Sequence, residues 1–363
     1  MKTIIKKIIK KYFTIKIIFN VYYQKFLIYI SKYLNKPLNK PTSIMITVTQ
    51  NCILHCRQCD LWKTKPEKQM TFDEAKIIID RLHDWLGNFY LFFTGGEPFI
   101  NKNLPDIIKY AQSMGIICHV NSNAFLIDKK LAKKIIDSNL NSISISLDGA
   151  KSSTHDYIRR TPGAYKKVIK AIKLLQNGPK IYLNSLIIKQ NTSELIDLIK
   201  LSQNQKSNGI NFQCLLPTLA SNEKNIDLPK NKLWPKSKKV ELEIKNIIKM
   251  DPSEKPNLIT TNNELNKIIN YYKDPFSNNK DIVCAAGINN FIVDQNGDVK
   301  LCYGMPKVGN IFKSSAKNIW LNEKTQKQRK TIRKCQNFCK VIKCNQIDIN
   351  RQIDVELQFL NNS

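Results

Sequence analysis

The chain has 363 residues, 42% of them hydrophobic and 9% aromatic, enough to bury a sizeable core in two domains and too many for a chain disordered throughout. Its 58 Lys+Arg against 29 Asp+Glu leave a net charge of +29, which admits an anionic partner, although the accompanying wealth of Ile and Asn is also the bias of an AT-rich genome. The ten cysteines gather in two groups instead of spreading as a disulfide framework, so metal binding in a reducing compartment, the cytoplasm, is expected.

Residues 1–13 place Ile4, Ile5, Ile8, Ile9, Tyr12 and Phe13 on one helical face and Lys2, Lys6, Lys7, Lys10 and Lys11 on the other, a basic amphipathic helix. The apolar stretch 17–30 is interrupted by Asn20, Gln24 and Lys25 and falls short of the ~20 residues of a membrane span. It has no small-residue cleavage site behind it, so secretion is not expected. Two readings of 1–32 stand: peripheral contact with anionic lipid, or a helix docked on the protein's own core. Pro37 and Pro41 make 34–41 an extended lead-in, and the extension 1–41 gives way to a catalytic domain at Thr42.

From there β-branched and aromatic runs at 44–48, 89–93, 116–120, 142–147, 181–188 and 209–216 alternate with helical periodicity, as over 72–86 and 165–175. Such alternation demands right-handed βαβ crossovers and a parallel sheet. The span is too short for eight units, so an α/β fold with a partial (β/α)6 barrel is expected over 42–217, its chemistry at the carboxyl ends of the strands.

Directly after the first strand come Cys52, Cys56 and Cys59, with three and then two residues between thiols. Three thiolates on a cubane of four irons leave one iron open, able to chelate a small molecule through an amine and a carboxylate. A zinc knuckle with His55 or a distant fourth ligand is the alternative. After the second strand comes Thr94-Gly95-Gly96-Glu97-Pro98; Asn121-Ser122-Asn123 follows the third; Ser146-Leu147-Asp148-Gly149 and then His155-Asp156-Tyr157-Ile158-Arg159 follow the fourth.

In this order the motifs resemble the radical S-adenosylmethionine (SAM) superfamily over about half the chain. The resemblance implies a 4Fe-4S cluster on Cys52, Cys56 and Cys59, with SAM bound at Gly95, Gly96, Glu97, Asn121, Ser146 and Arg159. The glycine segment would meet the methionine amino group, Ser146 the ribose or carboxylate, and the Arg159 fork the carboxylate. It also implies reductive cleavage of SAM to a 5′-deoxyadenosyl radical that abstracts hydrogen from a substrate. Many members carry an aromatic residue before the third cysteine, where this chain has Gln58; that departure bears on the adenine pocket and not on cluster ligation.

A stretch over 218–280, rich in Lys, Asn and Pro, reads as a linker or helical segment before a small Cys-rich α+β domain over 281–363. There 291–293 and 299–301 flank Asn296-Gly297, a strong hairpin turn pair. The hairpin brings Cys284 and Cys302 to one end, with Cys335, Cys339 and Cys344 behind. This resembles the SPASM and twitch auxiliary-cluster domains. Five cysteines imply one auxiliary 4Fe-4S cluster, on Cys284, Cys302 and two of Cys335, Cys339 and Cys344; a four-thiolate zinc site is the alternative. Cys118 and Cys214 lie inside apolar strands and read as core.

The Ser146–Gly149 and His155–Arg159 segments resemble the family's peptide-modifying branch, so a peptide or protein substrate is expected, with a flavodoxin, ferredoxin or reductase as electron donor. The alternative is a small-molecule substrate, a sugar, lipid-linked sugar or lipid at a membrane, motivated by residues 1–32. A non-enzymatic iron-sulfur or zinc protein that binds nucleic acid predicts neither the Gly-Gly-Glu-Pro nor the Ser-Leu-Asp-Gly segment, so no specific nucleic-acid partner is expected.

Overall fold

The computed structural model describes residues 37–64, 68–216, 228–276 and 284–335, with Cys339 and the helical positions Phe19, Tyr22, Tyr23, Phe26, Leu27, Ile30 and Ser31. The basic helix expected over 1–13 and Cys344 lie outside the described residues.

Six βα units build the core. Strands β1 (Ser43–Thr49), β2 (Tyr90–Gly95), β3 (Ile117–Ser122), β4 (Ser142–Ser146), β5 (Lys180–Ile187) and β6 (Gly209–Cys214) pair in parallel, each with its neighbour in sequence. Each odd-even alternation sorts side chains between two faces. Ile44, Ile46, Val48, Leu91, Phe93, Val120, Ile143, Ile145, Leu183 and Phe212 join the core beneath the helices, as do Cys118 and Cys214. The helices present matching stripes; α1 (Phe72–Leu86) buries Ala75, Ile78, Ile79 and Leu82 and is started by a Thr71–Glu74 capping box.

The sheet does not close. On the β1 side it continues into the Cys-rich region, where β7 (Asn290–Val293) pairs in parallel with β1, and β8 (Asp298–Lys300) and β9 (Gly309–Asn310) follow antiparallel. Gly297, at φ 75°, supplies the left-handed position of the β7–β8 turn. The hairpin thus appears where the sequence puts it, but as an extension of the main sheet. Trp85 of α1, Phe291 of β7 and Trp320 pack in one aromatic cluster at this seam, their ring centroids 6.1, 6.2 and 6.3 Å apart.

The other edge is covered by residues within 228–276, which include two α-helices, α2 (Ser237–Lys249) and α3 (Asn262–Lys273). They bury Val240, Ile244, Ile247, Leu265, Ile268 and Ile269 against the barrel. Two tyrosines of α3 fasten them: Tyr271 donates to the Leu215 carbonyl at 2.7 Å, and the Tyr272 hydroxyl accepts from Leu215 N–H at 2.8 Å while donating to the Ile187 carbonyl. Tyr272→Phe leaves a buried N–H and a buried C=O unpaired, so unfolding stability is expected to fall by about 1–3 kcal/mol. A denaturant titration checks this, and an unchanged midpoint would discount the clasp.

Candidate active site

The motif loops meet at the carboxyl ends of β1 to β4. The Cys loop leaves β1 and is held from three sides. Gly96 N–H donates to the Thr49 carbonyl at 3.0 Å and Glu97 N–H to the Asn51 carbonyl at 2.9 Å. Arg57 N–H donates to the Ile158 carbonyl at 3.0 Å, and Trp62 Nε1 to the Cys56 carbonyl at 3.3 Å. Gly95 sits at φ 141°, and a Cβ on Gly95 or Gly96 would run into the carbonyls of Thr49 or of Gln50 and Asn51. The glycines therefore let the end of β2 lie against the backbone that carries Cys52.

Glu97 is fully buried. Its carboxylate accepts from Phe99 N–H (3.2 Å), the Ser122 hydroxyl (2.8 Å) and Asn123 N–H (2.7 Å). The side chain binds the β2 end to the β3 end, so only its backbone remains for a ligand. Asn123 in turn donates from Nδ2 to Cys52 Sγ at 3.8 Å. Burial pushes the Glu97 carboxyl up to about 7, against the pull of those three donors and of Arg159.

Arg159, at the end of the helix Ser152–Arg159, is buried beside the same loop. One terminal nitrogen pairs with Asp148 Oδ2 at 2.6 Å and the other donates to Cys56 Sγ at 3.7 Å, while its buried Nε has no protein acceptor. Asp148 also accepts from Leu186 N–H (2.8 Å) and from Gln58 Nε2 (3.4 Å); Gln58 Oε1 is a second buried orphan. His155 is scaffold: burial and the nearby guanidinium push it down to about 3, and its neutral Nδ1 accepts from Asp148 N–H at 3.2 Å. Asp156 likewise accepts from Gly163 and Tyr165 N–H, both at 2.7 Å.

Burial, then the charges of Cys56, Glu97 and Cys59, pushes the Cys52 thiol up to about 11, and burial raises Cys59 as well. The three thiols thus lie within electrostatic reach of one another. Unpartnered Arg159 Nε and Gln58 Oε1, buried beside these thiols, also suit a large group with sulfide and amine contacts. The residues present therefore fit an iron-sulfur cluster with a chelated ligand, and loading it would displace thiol protons. In the second group, Cys339 feels Cys302, Cys284 and Cys335, after burial the causes that push it up to about 12. Cys339 therefore lies within electrostatic reach of the other three thiols; Cys344 is outside the described residues.

The inner face of the sheet, opposite the helices, is the other half of the site. Strand register places Met45, Phe92, His119 and Ser142 side by side, then Thr47 with Thr94 and Asn121 with Ser144 and Tyr182, then Ser146 with Asn184 and Asn211. His119 holds Ser142 Oγ at 2.8 Å on Nδ1 and Ser144 Oγ at 2.9 Å on Nε2. Asn121 is exposed and Ser146 half-buried, so both open onto this face below the Cys loop. Among the inner-face positions of β1 to β6 there is no Asp, Glu or Arg, and the one Lys, Lys180, is exposed at the amino end of β5, away from the cysteines. This uncharged lining escapes motif reading, although the Ser142-Ile143-Ser144-Ile145-Ser146 alternation displays part of it.

The radical SAM superfamily model matches residues 46–202, and the SPASM model, an iron-sulfur cluster-binding domain, matches 284–345. The chain is 32% identical over 174 residues to the AdoMet-dependent heme synthase of Oleidesulfovibrio alaskensis, covering 47% of this chain and 45% of that protein. To the PqqA peptide cyclase of Bradyrhizobium diazoefficiens it is 25% identical over 163 residues, 44% of this chain and 43% of that one. The chain spans about half the length of the curated relatives it matches. Among solved structures it shares the fold of Streptococcus suis SuiB bound to the precursor peptide SuiA, with TM-score 0.65, 17% identity, and 88% and 74% of the two chains covered.

Because Glu97 holds its proton more tightly folded than unfolded, its contribution to stability is full below its ordinary 4.5 and declines as pH rises towards about 7. Glu97→Gln is expected to cost about 1–3 kcal/mol, since an amide nitrogen would face a donor, and to remove that decline. Thermal midpoints across this pH range test it; parallel wild-type and variant profiles would sink the assignment.

Proposed function

The chain belongs to the radical SAM superfamily and carries a SPASM-type iron-sulfur domain, and on that premise we propose that it is a peptide- or protein-modifying enzyme. The observation that carries this reading is the uncharged polar inner face. A peptide amide, a hydroxyl or a carboxamide finds partners in Thr47, Thr94, Asn121, Ser144, Tyr182 and Asn184. An anionic substrate such as a nucleoside triphosphate, or the propionates of a heme, would want Arg or Lys there. The peptide named with the SuiB structure and with the PqqA cyclase supports the same reading.

When bound, a reduced cluster with SAM would supply one-electron chemistry able to take a hydrogen atom from a substrate. Cys52, Cys56 and Cys59 would hold that cluster. The backbone at Gly95–Glu97, with Asn121 and Ser146, would orient SAM on the inner-face side. Arg159, anchored by Asp148, keeps positive charge against the thiolates and offers its free Nε towards the bound group. Cys284, Cys302, Cys335 and Cys339 would hold an auxiliary cluster.

Anaerobic reconstitution with iron and sulfide, followed by dithionite and SAM, tests this. Wild type is expected to form 5′-deoxyadenosine and Cys56→Ala none. Short peptides encoded beside the gene are expected to raise the yield about tenfold and to change mass themselves. Stimulation by GTP or an iron porphyrin, with every peptide inert, would overturn the peptide reading.

A second feature favours membrane contact. Phe19, Tyr22, Tyr23 and Phe26 fall at helical spacing and are 70%, 57%, 49% and 58% exposed, beside a Lys-rich sequence. No described helix is long and apolar enough to cross a membrane, so such contact would be interfacial. The full chain is expected to float with anionic vesicles, and a chain starting at Lys40 to stay behind. Equal, poor flotation of both removes the reading.

A further inference from the structure

The Cys loop and the end of the helix Ser152–Arg159 together carry a compact cationic and aromatic surface. Trp62 lies on the short helical turn Leu61–Lys63 just after Cys59 and touches the cluster loop directly through its bond to the Cys56 carbonyl. Its ring stacks on His55 at 4.7 Å, with the Arg160 guanidinium 5.8 Å and the Lys63 ammonium 5.5 Å from its centroid. Alongside, Arg57 sits 4.1 Å from the Tyr157 ring and donates from Nε to the Tyr157 carbonyl at 2.9 Å. Arg57, Arg160 and Tyr157 are all exposed.

The arrangement is built. Arg160 occupies the left-handed region at φ 53°, unusual for a side chain of its size, as the cap of the helix that carries Arg159. Lys63 is offset by Asp60 at 2.6 Å, and Asp156 is committed to backbone donors of its own loop. Two guanidiniums therefore face outward uncompensated by these neighbours, and the aromatic between them and the interior bonds to the backbone of a cluster ligand.

From this the geometry points to an electron-entry surface centred on Trp62 for an acidic one-electron carrier protein. The assignment rests on the cluster reading of Cys52, Cys56 and Cys59. The carrier's reduced flavin or iron-sulfur centre gives up one electron and the cluster takes it, with no bond made or broken. Negative charge on the carrier complements Arg57 and Arg160 and steers the encounter, while the exposed Tyr157 ring supplies apolar contact and Trp62 lies between the cations and the Cys56 backbone.

The test follows cluster bleaching by stopped-flow absorbance, using a reduced, strongly acidic flavodoxin as probe and dithionite as control. In Arg57→Glu/Arg160→Glu, flavodoxin is expected to reduce the cluster about tenfold more slowly at low salt. The salt dependence should flatten, while dithionite bleaching and iron content stay as in wild type. The neutral pair Arg57→Gln/Arg160→Gln should fall between. Equal flavodoxin rates in all three proteins, or no flavodoxin reduction of wild type, would overturn the surface. A wild type that dithionite cannot bleach would instead remove the cluster reading beneath it.

Discussion

The buried carboxylate of Glu97 is the constraint on which the site depends. It gathers a hydroxyl and two backbone N–H groups from the ends of β2 and β3, while its own N–H holds Asn51. One residue thereby ties together the approach to Cys52, the glycine turn and the Ser122–Asn123 loop. Burying a carboxylate is costly unless its acceptors are filled. Here three donors fill them, and the result is a fixed floor under a loop that would otherwise be irregular chain held only by its ends.

On the opposite side, the Asp148–Arg159 pair performs the matching task. Asp148 receives Leu186 N–H from the next strand and stations Arg159 against Cys56. The loop is thus braced by an anion on one flank and by a cation on the other, with sulfur atoms between them. This bracing is separate from the inner face, where hydroxyls and amides replace charge. A strongly basic protein accordingly presents an uncharged polar strand face beside a loop braced by buried charges.

Much of this was legible in the sequence. Strand and helix periods follow from burial on one face, so the six parallel strands lie within a few residues of their expected places, and 72–86 is a helix to the residue. Cysteine spacing foretells convergence because the thiols lie on one short loop. Three features were not legible. The joining of β7 to β1 depends on tertiary pairing of segments about 250 residues apart, which no local period encodes. The bounds of the helices within 237–273 fall in a stretch whose Lys, Asn and Pro content reads as a linker or helical segment without fixing them, because their buried stripe is narrow and their outer faces are charged. For Arg159, the family resemblance implies a ligand contact, whereas its packing shows a fork already divided between Asp148 and Cys56, which only three-dimensional neighbours reveal.

The pairing of β7 with β1 also bears on how the molecule could be divided. Strand β1 carries the Cys loop at its end and is apolar on the helix side. Removing the Cys-rich region would strip the ladder partner of Ser43–Ile46 and leave their parallel edge with unsatisfied N–H and C=O groups, the kind of edge that recruits other chains. The two cysteine groups are therefore not modules on a string. The first group leaves the carboxyl end of β1, whereas Cys284 precedes the amino end of β7 and Cys302 follows β8 at that same end, so the length of the shared strands stands between them, a ruler that loop insertions elsewhere in the chain would leave untouched.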